Sequence, residues 1–212
     1  MIQLNYIEGI HAGKKAIVFG CGTSVRLFDK YKNSRPKDLI ILGVNDIGEY
    51  ITPDYNCIFD SPDQFSNKRL QTIIDTPSPI VTNCREWEQY GKETYIVNFN
   101  GRNTWHDFTN DNTIAYGIVS PYTAVVCAYH LGCREIGMLG VDFTPDHYNR
   151  KDGMHNQTYR LNELNADFAE LEEELFSRWC RFVNLSPDSE IHSVTKFDLE
   201  DFLGLGMYNL EN

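Results

Sequence analysis

Residues 16–24 read AIVFGCGTS. The apolar run predicts a buried strand, and it stops abruptly in two glycines followed by two hydroxyl side chains. Glycine lets the backbone pass close to an anion, and consecutive N–H groups opening a following helix point at it with the favourable end of the helix dipole. Thr23 and Ser24 add two donors to Gly20 and Gly22. A dinucleotide fingerprint, GxGxxG, needs glycine at position 25, where this chain has Val25. The turn therefore suits a phosphate without specifying NAD. The same two glycines also serve any tight strand-to-helix turn.

The pattern repeats along the chain. DLIILGVND at 38–46, YNCIFDSPD at 55–63, SPIVTN at 78–83 and CREIGMLGVDF at 133–143 are apolar runs that end in small or polar residues. Parallel strands deliver such ends to one ligand-binding edge. QFSNKRLQTIID at 64–75 has the length of a crossover helix. Ser120 and Pro121 open a second helix, TAVVCAYHL, which Gly132 stops. Leu161, Leu164, Phe168, Leu171, Leu175 and Trp179 recur at spacings of three and four and predict one apolar face of a helix over 158–179. RFVNLS at 181–186 reads as a last strand, and FDLEDFLGLGMYNLEN as a short helix and tail. The reading is α/β: a three-layer α/β/α sandwich with a mostly parallel, Rossmann-like sheet. A single domain over 1–212 is expected, with lid-like segments around 92–119 and 143–157.

Composition narrows the function. Hydrophobic residues at 42% and charged residues at 23% describe an ordinary globular chain. A net charge of −11 works against wrapping DNA or RNA, whose affinity comes largely from lysine and arginine on phosphates. It leaves room for a local basic pocket around one phosphorylated ligand. The six cysteines include no CxxC pair, so they read as free, buried thiols of a cytoplasmic protein. No apolar run reaches membrane-spanning length.

A parallel sheet would gather Gly20 to Ser24, Asn45 with Asp46, Asp60 to Asp63, Thr82 with Asn83, and Asp142 at one edge. Asn45 and Asp46 suit a ribose or base, and are equally common turn residues. Ser120 offers a hydroxyl and a helix start to an anion, or is a plain N-cap. His155, in the polar loop before the long helix, is a candidate base, with His147 as competitor; His130 lies on an apolar helix and is expected to be packed. HExxH, a Walker lysine and GxSxG are all missing from the sequence.

The order of these motifs resembles the bacterial sialyltransferases of glycosyltransferase family 42 and related phage-borne proteins. KKAIVFGCGTSVRLFD is similar to the family's opening strand and turn, usually written GNGPS, with Cys21 and Thr23 as departures. GVND puts Asn45 on the position of a nucleotide-contacting asparagine. CIFDSPDQF is similar to the third strand end, with Pro62 and Asp63, where the family has asparagine at the latter. VSPYTAVVCAYHLGCREIGMLGVDF resembles a helix and strand pair on which Ser120, Gly140 and Asp142 fall.

The resemblance implies that His155 is the general base and that Tyr148 stabilises the departing phosphate. Gly20, Gly22, Thr23, Ser24, Asn45, Asp46, Asp63, Ser120, Gly140 and Asp142 would hold the nucleotide. It implies transfer of a sugar from a nucleotide-sugar donor, a CMP-sugar favoured, to a glycan or other acceptor hydroxyl. No metal and no separate cofactor are needed, and a homo-oligomer is compatible. Two alternatives stay open. One is a magnesium-dependent pyrophosphokinase-like enzyme using Asp60, Asp63 and Asp142; the other is a nucleotide-binding accessory protein without turnover.

Overall fold

The computed structural model describes residues 2–103, 112–144, 146–148, 150–151 and 158–205. In chain order the strands are β1 (Ile2–Gln3), β2 (Lys15–Phe19), β3 (Leu39–Val44), β4 (Tyr55–Cys57), β5 (Ile80–Thr82), β6 (Thr94–Ile96), β7 (Asn98–Arg102), β8 (Thr113–Tyr116), β9 (Glu135–Leu139), β10 (Asp146–His147), β11 (Arg150–Lys151) and β12 (Arg181–Asn184). The α-helices are α1 (Asn67–Asp75), α2 (Ser120–His130), α3 (Leu161–Ser177) and α4 (Leu199–Phe202). Eight strands form one sheet in the order β1-β6-β5-β4-β3-β2-β9-β12. Every neighbouring pair in it is parallel.

The central strands are apolar on both sides because both faces are covered. All six residues of β3 are buried. Ala16, Val18, Leu42, Ile136 and Met138 face a core completed by Tyr122 and Val125 of α2 and by Leu164, Phe168 and Leu171 of α3. The alternate residues Ile17, Phe19, Ile41 and Leu139 face the opposite layer. That layer holds Val25 and Phe28 of a 3-10 helix, Thr23–Tyr31, and Phe202 of α4. Further along the same layer, Ile58 and Ile80 pack with Ile73 of α1 and Trp87. Each such aliphatic or aromatic side chain contributes about 1.5–3 kcal/mol by leaving water. The three-layer α/β/α sandwich expected from the sequence is the observed fold.

Some local expectations change. The segment after the glycine turn is a nine-residue 3-10 helix. The 92–119 region supplies β6 to the main sheet, and β7 and β8 then pair as a parallel two-stranded ribbon. Within 143–157, β10 and β11 pair as an antiparallel hairpin. Trp179, expected on the apolar face of the long helix, lies past the end of α3 with φ of 59° and is 92% exposed. It occupies the left-handed position that closes a helix: the next residue's N–H, that of Cys180, bonds back to Leu175 O at 2.9 Å. That geometry turns the side chain away from the core. All six cysteines are free as expected, but Cys21 and Cys84 are only half-buried. The Cys84 thiol donates to Glu86 at 2.7 Å and is pushed up to about 11, by burial first and then by that carboxylate.

Candidate functional site

The strand order reverses at β2, which has β3 on one side and β9 on the other. In open α/β sheets, ligands bind in the crevice outside the carboxyl ends of the strands at such a point. Here the crevice is framed by the turn after β2 and the turn after β9. The two interlock: Gly20 N donates to Leu139 O at 2.8 Å and Gly22 N to Gly140 O at 2.7 Å. A Cβ on Gly20 would lie 2.3 Å from Gly140 O, so only glycine permits this approach.

Asp142 decides what the turn does. Its carboxylate is 4% exposed and accepts from Ser24 N at 2.8 Å and from the Ser24 hydroxyl at 2.5 Å. A Cβ on Gly22 would sit 2.4 Å from the same carboxylate. Ser24 Oγ also meets Ser186 Oγ at 2.7 Å, and Gly140 N donates to both hydroxyls at 3.0 Å. Lys196 holds the Ser186 side of the network through the carbonyls of Ser186 and Ser189, at 2.8 and 2.9 Å. The start of the 3-10 helix is thus occupied by an anion of the chain itself. Asp142, Ser24 and Gly140 come together as expected, but their hydrogen bonds are to one another. Thr23 remains an exposed hydroxyl of the turn.

The second wall is the end of β3. Asn45 has φ of 54°, and its buried Oδ1 has no hydrogen-bond partner among the described residues. Its carbonyl accepts from Asn56 Nδ2 at 3.1 Å. Asp46 is 5% exposed and accepts from Arg69 Nε and Nη2 at 2.9 and 2.8 Å, both on Oδ1. The Arg69 guanidinium lies 4.9 Å from the centre of the Phe65 ring. Desolvation pushes the Asp60 carboxyl upward, with Arg69 opposing. Asp63 is exposed and accepts from the Ser61 hydroxyl. At the end of β5, Thr82 is buried and caps Cys84 N at 2.9 Å, while Asn83 is exposed.

Tyr148 joins the two walls. Its N–H donates to Cys21 O in the glycine turn and its hydroxyl to Asp46 O, each at 3.0 Å. Its ring meets Tyr50 edge-on at 5.5 Å, and its carbonyl accepts from Arg26 at 3.0 Å. His155 lies outside the described residues, and so do the side chain of His147 and residues 104–111 and 152–157 of the two lid segments. His130 is packed as expected, 5% exposed and held down to about 3 by burial first and by Arg178 and Arg134 next.

On the opposite face α2 leads into β9 and packs over β2, β3 and β9. It therefore starts at the carboxyl edge. Ser120 is its first helical residue, not its N-cap: Val119 holds the cap position and no side chain caps the turn. The helical segment that begins at the glycine turn is filled by Asp142, whereas no side chain among the described residues caps the one that begins at Ser120. Arg69 and Arg26 are the residues sequence reading missed. Arg69 sits in a segment read as a crossover helix and Arg26 just past the glycine turn, and what gives them a place is spatial, their partners Asp46 and Tyr148 lying 23 and 122 residues away. Among the described residues, no three histidine, cysteine, aspartate or glutamate side chains form a group that could hold a metal ion. No described helix is long and apolar enough to cross a membrane.

No protein-family model matches the chain, and no curated protein matches its sequence. Solved structures do match its fold. The sialyltransferase CstII from Campylobacter jejuni, in complex with cytidine-5'-monophosphate, aligns over 88% of this chain and 85% of its own at a TM-score of 0.53 and 15% identity. A structure of the same enzyme with a trisaccharide acceptor and CMP aligns over 87% and 86% at a TM-score of 0.50 and 18% identity. The MAf glycosyltransferase from Magnetospirillum magneticum AMB-1 aligns over 88% of this chain at a TM-score of 0.53 and 10% identity, and the match spans 33% of that longer protein. At these identities the likeness is one of fold. The chain has the α/β fold of these glycosyltransferases.

Proposed function

We propose that this chain is a glycosyltransferase that moves a sugar from a nucleotide-sugar donor, a CMP-sugar favoured, to a hydroxyl of a glycan. The observation that carries the reading is the uncapped start of α2 at Ser120, beside the crevice at the switch point of the sheet. A helix N-terminus that carries a hydroxyl in its first turn is suited to the donor's phosphate. The start of the helical segment Thr23–Tyr31 already holds a carboxylate.

Asn45 Oδ1, buried and without a partner among the described residues, is suited to accept from a nucleoside amine or hydroxyl, which would remove the cost of an orphan acceptor. The interlocked turns at Gly20–Gly22 and Gly140 give the crevice a rigid floor. Tyr148 would supply its hydroxyl to the leaving phosphate by exchanging the carbonyl of Asp46 for the phosphate oxygen as charge develops. His155 would take the proton of the acceptor hydroxyl as the new glycosidic bond forms and the bond to the phosphate breaks, so that the nucleotide departs as its phosphate. The solved neighbours with CMP and with a trisaccharide support this choice of donor and acceptor class.

The test measures release of CMP from CMP-sugars with and without glycan acceptors, beside a thermal-shift series of CMP, UDP, GDP and ATP. CMP is expected to raise the melting temperature, Ser120→Ala to weaken that effect, and His155→Ala to abolish transfer while leaving CMP binding. Absence of stabilisation by every nucleotide, or full transfer by His155→Ala, would overturn the reading. Selective stabilisation by another nucleotide, with transfer from its sugar conjugate, would replace the donor and keep the enzyme class.

A further inference from the structure

A separate cavity of about 280 Å³ lies where α2 and α3 end, at the amino edge of the sheet and opposite the crevice. Glu8 and Gly9 of the amino-terminal loop, Tyr129 and His130 of α2, Arg134 before β9 and Arg178 after α3 line it. Its size is below the roughly 300–1,000 Å³ of pockets that enclose drug-sized ligands, so its occupant is small.

Two guanidinium groups share this space in a chain whose net charge is −11. Both act on the proton of one buried imidazole, His130. Arg134 stacks on the Tyr129 ring at 4.3 Å and spends only Nη1 on the chain, donating to Tyr129 O and Cys133 O at 2.9 Å each. Its Nε and Nη2 have no hydrogen bond among the described residues. Arg178 is oriented by Glu174 at 2.7 Å. Glu174 already neutralises Arg178, whereas Arg134 has no carboxylate within salt-bridge distance among the described residues, so its charge is left to face the cavity.

We propose that this cavity binds a small oxyanion of the phosphate type, free or as a phosphomonoester. The Arg134 fork would take two of its oxygens and Arg178 would face the remaining charge. Glu8 is the one carboxylate on the wall; burial raises it and Arg134 opposes. It would weaken the anion by like-charge repulsion, which gives the proposal a test with two directions.

The imidazole protons of His130, followed by NMR across a pH series, report on this cavity alone, because the crevice is at the other edge. Saturable titration with inorganic phosphate is expected to shift the His130 signals and to raise its proton affinity. Arg134→Lys, which keeps the charge and loses the fork, is expected to weaken binding at least tenfold, and Glu8→Gln to tighten it several-fold. A parallel titration with glycerol 3-phosphate identifies the source: equal affinity means free phosphate, and affinity tenfold tighter means a phosphomonoester. The proposal is overturned if neither anion shifts His130 saturably. It is equally overturned if folded Arg134→Lys binds like the parent, or if Glu8→Gln leaves affinity unchanged. None of these results depends on the donor reading.

Discussion

Replacing Asp142 with alanine tests the central claim about the glycine turn, that its anion site is filled from within. The carboxylate makes two hydrogen bonds to Ser24, at 2.8 Å to the amide and 2.5 Å to the hydroxyl. Bonds to a charged group contribute about 1.5–3 kcal/mol each, so the gross loss is about 3–6 kcal/mol. Removing the buried charge returns part of its desolvation cost, and the Ser24 hydroxyl keeps Ser186 as a partner at 2.7 Å. The net loss is then about 2–4 kcal/mol, above the 0.5–2 kcal/mol of an ordinary cap. In a chain of 212 residues this corresponds to a fall in melting temperature of roughly 4–16 °C. Urea denaturation followed by tryptophan fluorescence measures it. The vacated site is the one the sequence assigned to phosphate, so sulfate should restore stability to Asp142→Ala in a saturable way and add much less to the parent. A loss below about 0.5 kcal/mol, or equal stabilisation of both proteins by sulfate, would refute the argument.

Three further outcomes follow from single residues. His130 is neutral in the fold with its proton affinity lowered to about 3, against 6.5 unfolded, so the unfolded chain binds the extra proton between those values. Stability attributable to His130 is therefore full above pH 6.5 and falls by up to about 1.4 kcal/mol per pH unit on acidification towards 3, a slope that His130→Gln should remove from a pH series of urea midpoints. Trp179→Gly relieves a left-handed backbone at a side chain that is 92% exposed, so it should stabilise by about 0.5–1 kcal/mol in chemical denaturation. Arg69→Ala leaves the Asp46 carboxylate, 5% exposed, without its two hydrogen bonds; a loss of about 1–3 kcal/mol is expected, with Arg69→Lys recovering part of it.

The central strands were legible because each is a continuous apolar run closed by glycine, asparagine or aspartate, a pattern that two covered faces impose. β1 was not, since it has two residues, both exposed. β7 reads NFNGR with alternating exposure and carries asparagine and glycine, which disguise it as loop. Ser120 was placed correctly at the start of a helix, but whether it caps or leaves the turn open depends on the backbone of Val119. The partnership of Asp142 with Ser24 was invisible: 118 residues separate them, and nothing local to either distinguishes a ligand-binding acid from one that caps a helix. Trp179 shows the converse error, since spacing alone carried the helix two residues beyond where α3 ends at Ser177.

The order of strands also bears on how the chain is made. β2 to β6 each lie beside the strand that precedes or follows them in the sequence, so this half of the sheet can pair progressively as the chain leaves the ribosome. β2 waits for its other neighbour until β9 has been synthesised, because Lys15 pairs beside Glu135 and Phe19 beside Leu139. Contacts of such sequence separation form late and slowly. Until then an apolar strand at the middle of the finished sheet stands as an open edge, able to pair with another nascent chain. The same event that buries this edge brings Gly140 and Asp142 against the glycine turn. Assembly of the crevice and protection from misassociation are therefore one step.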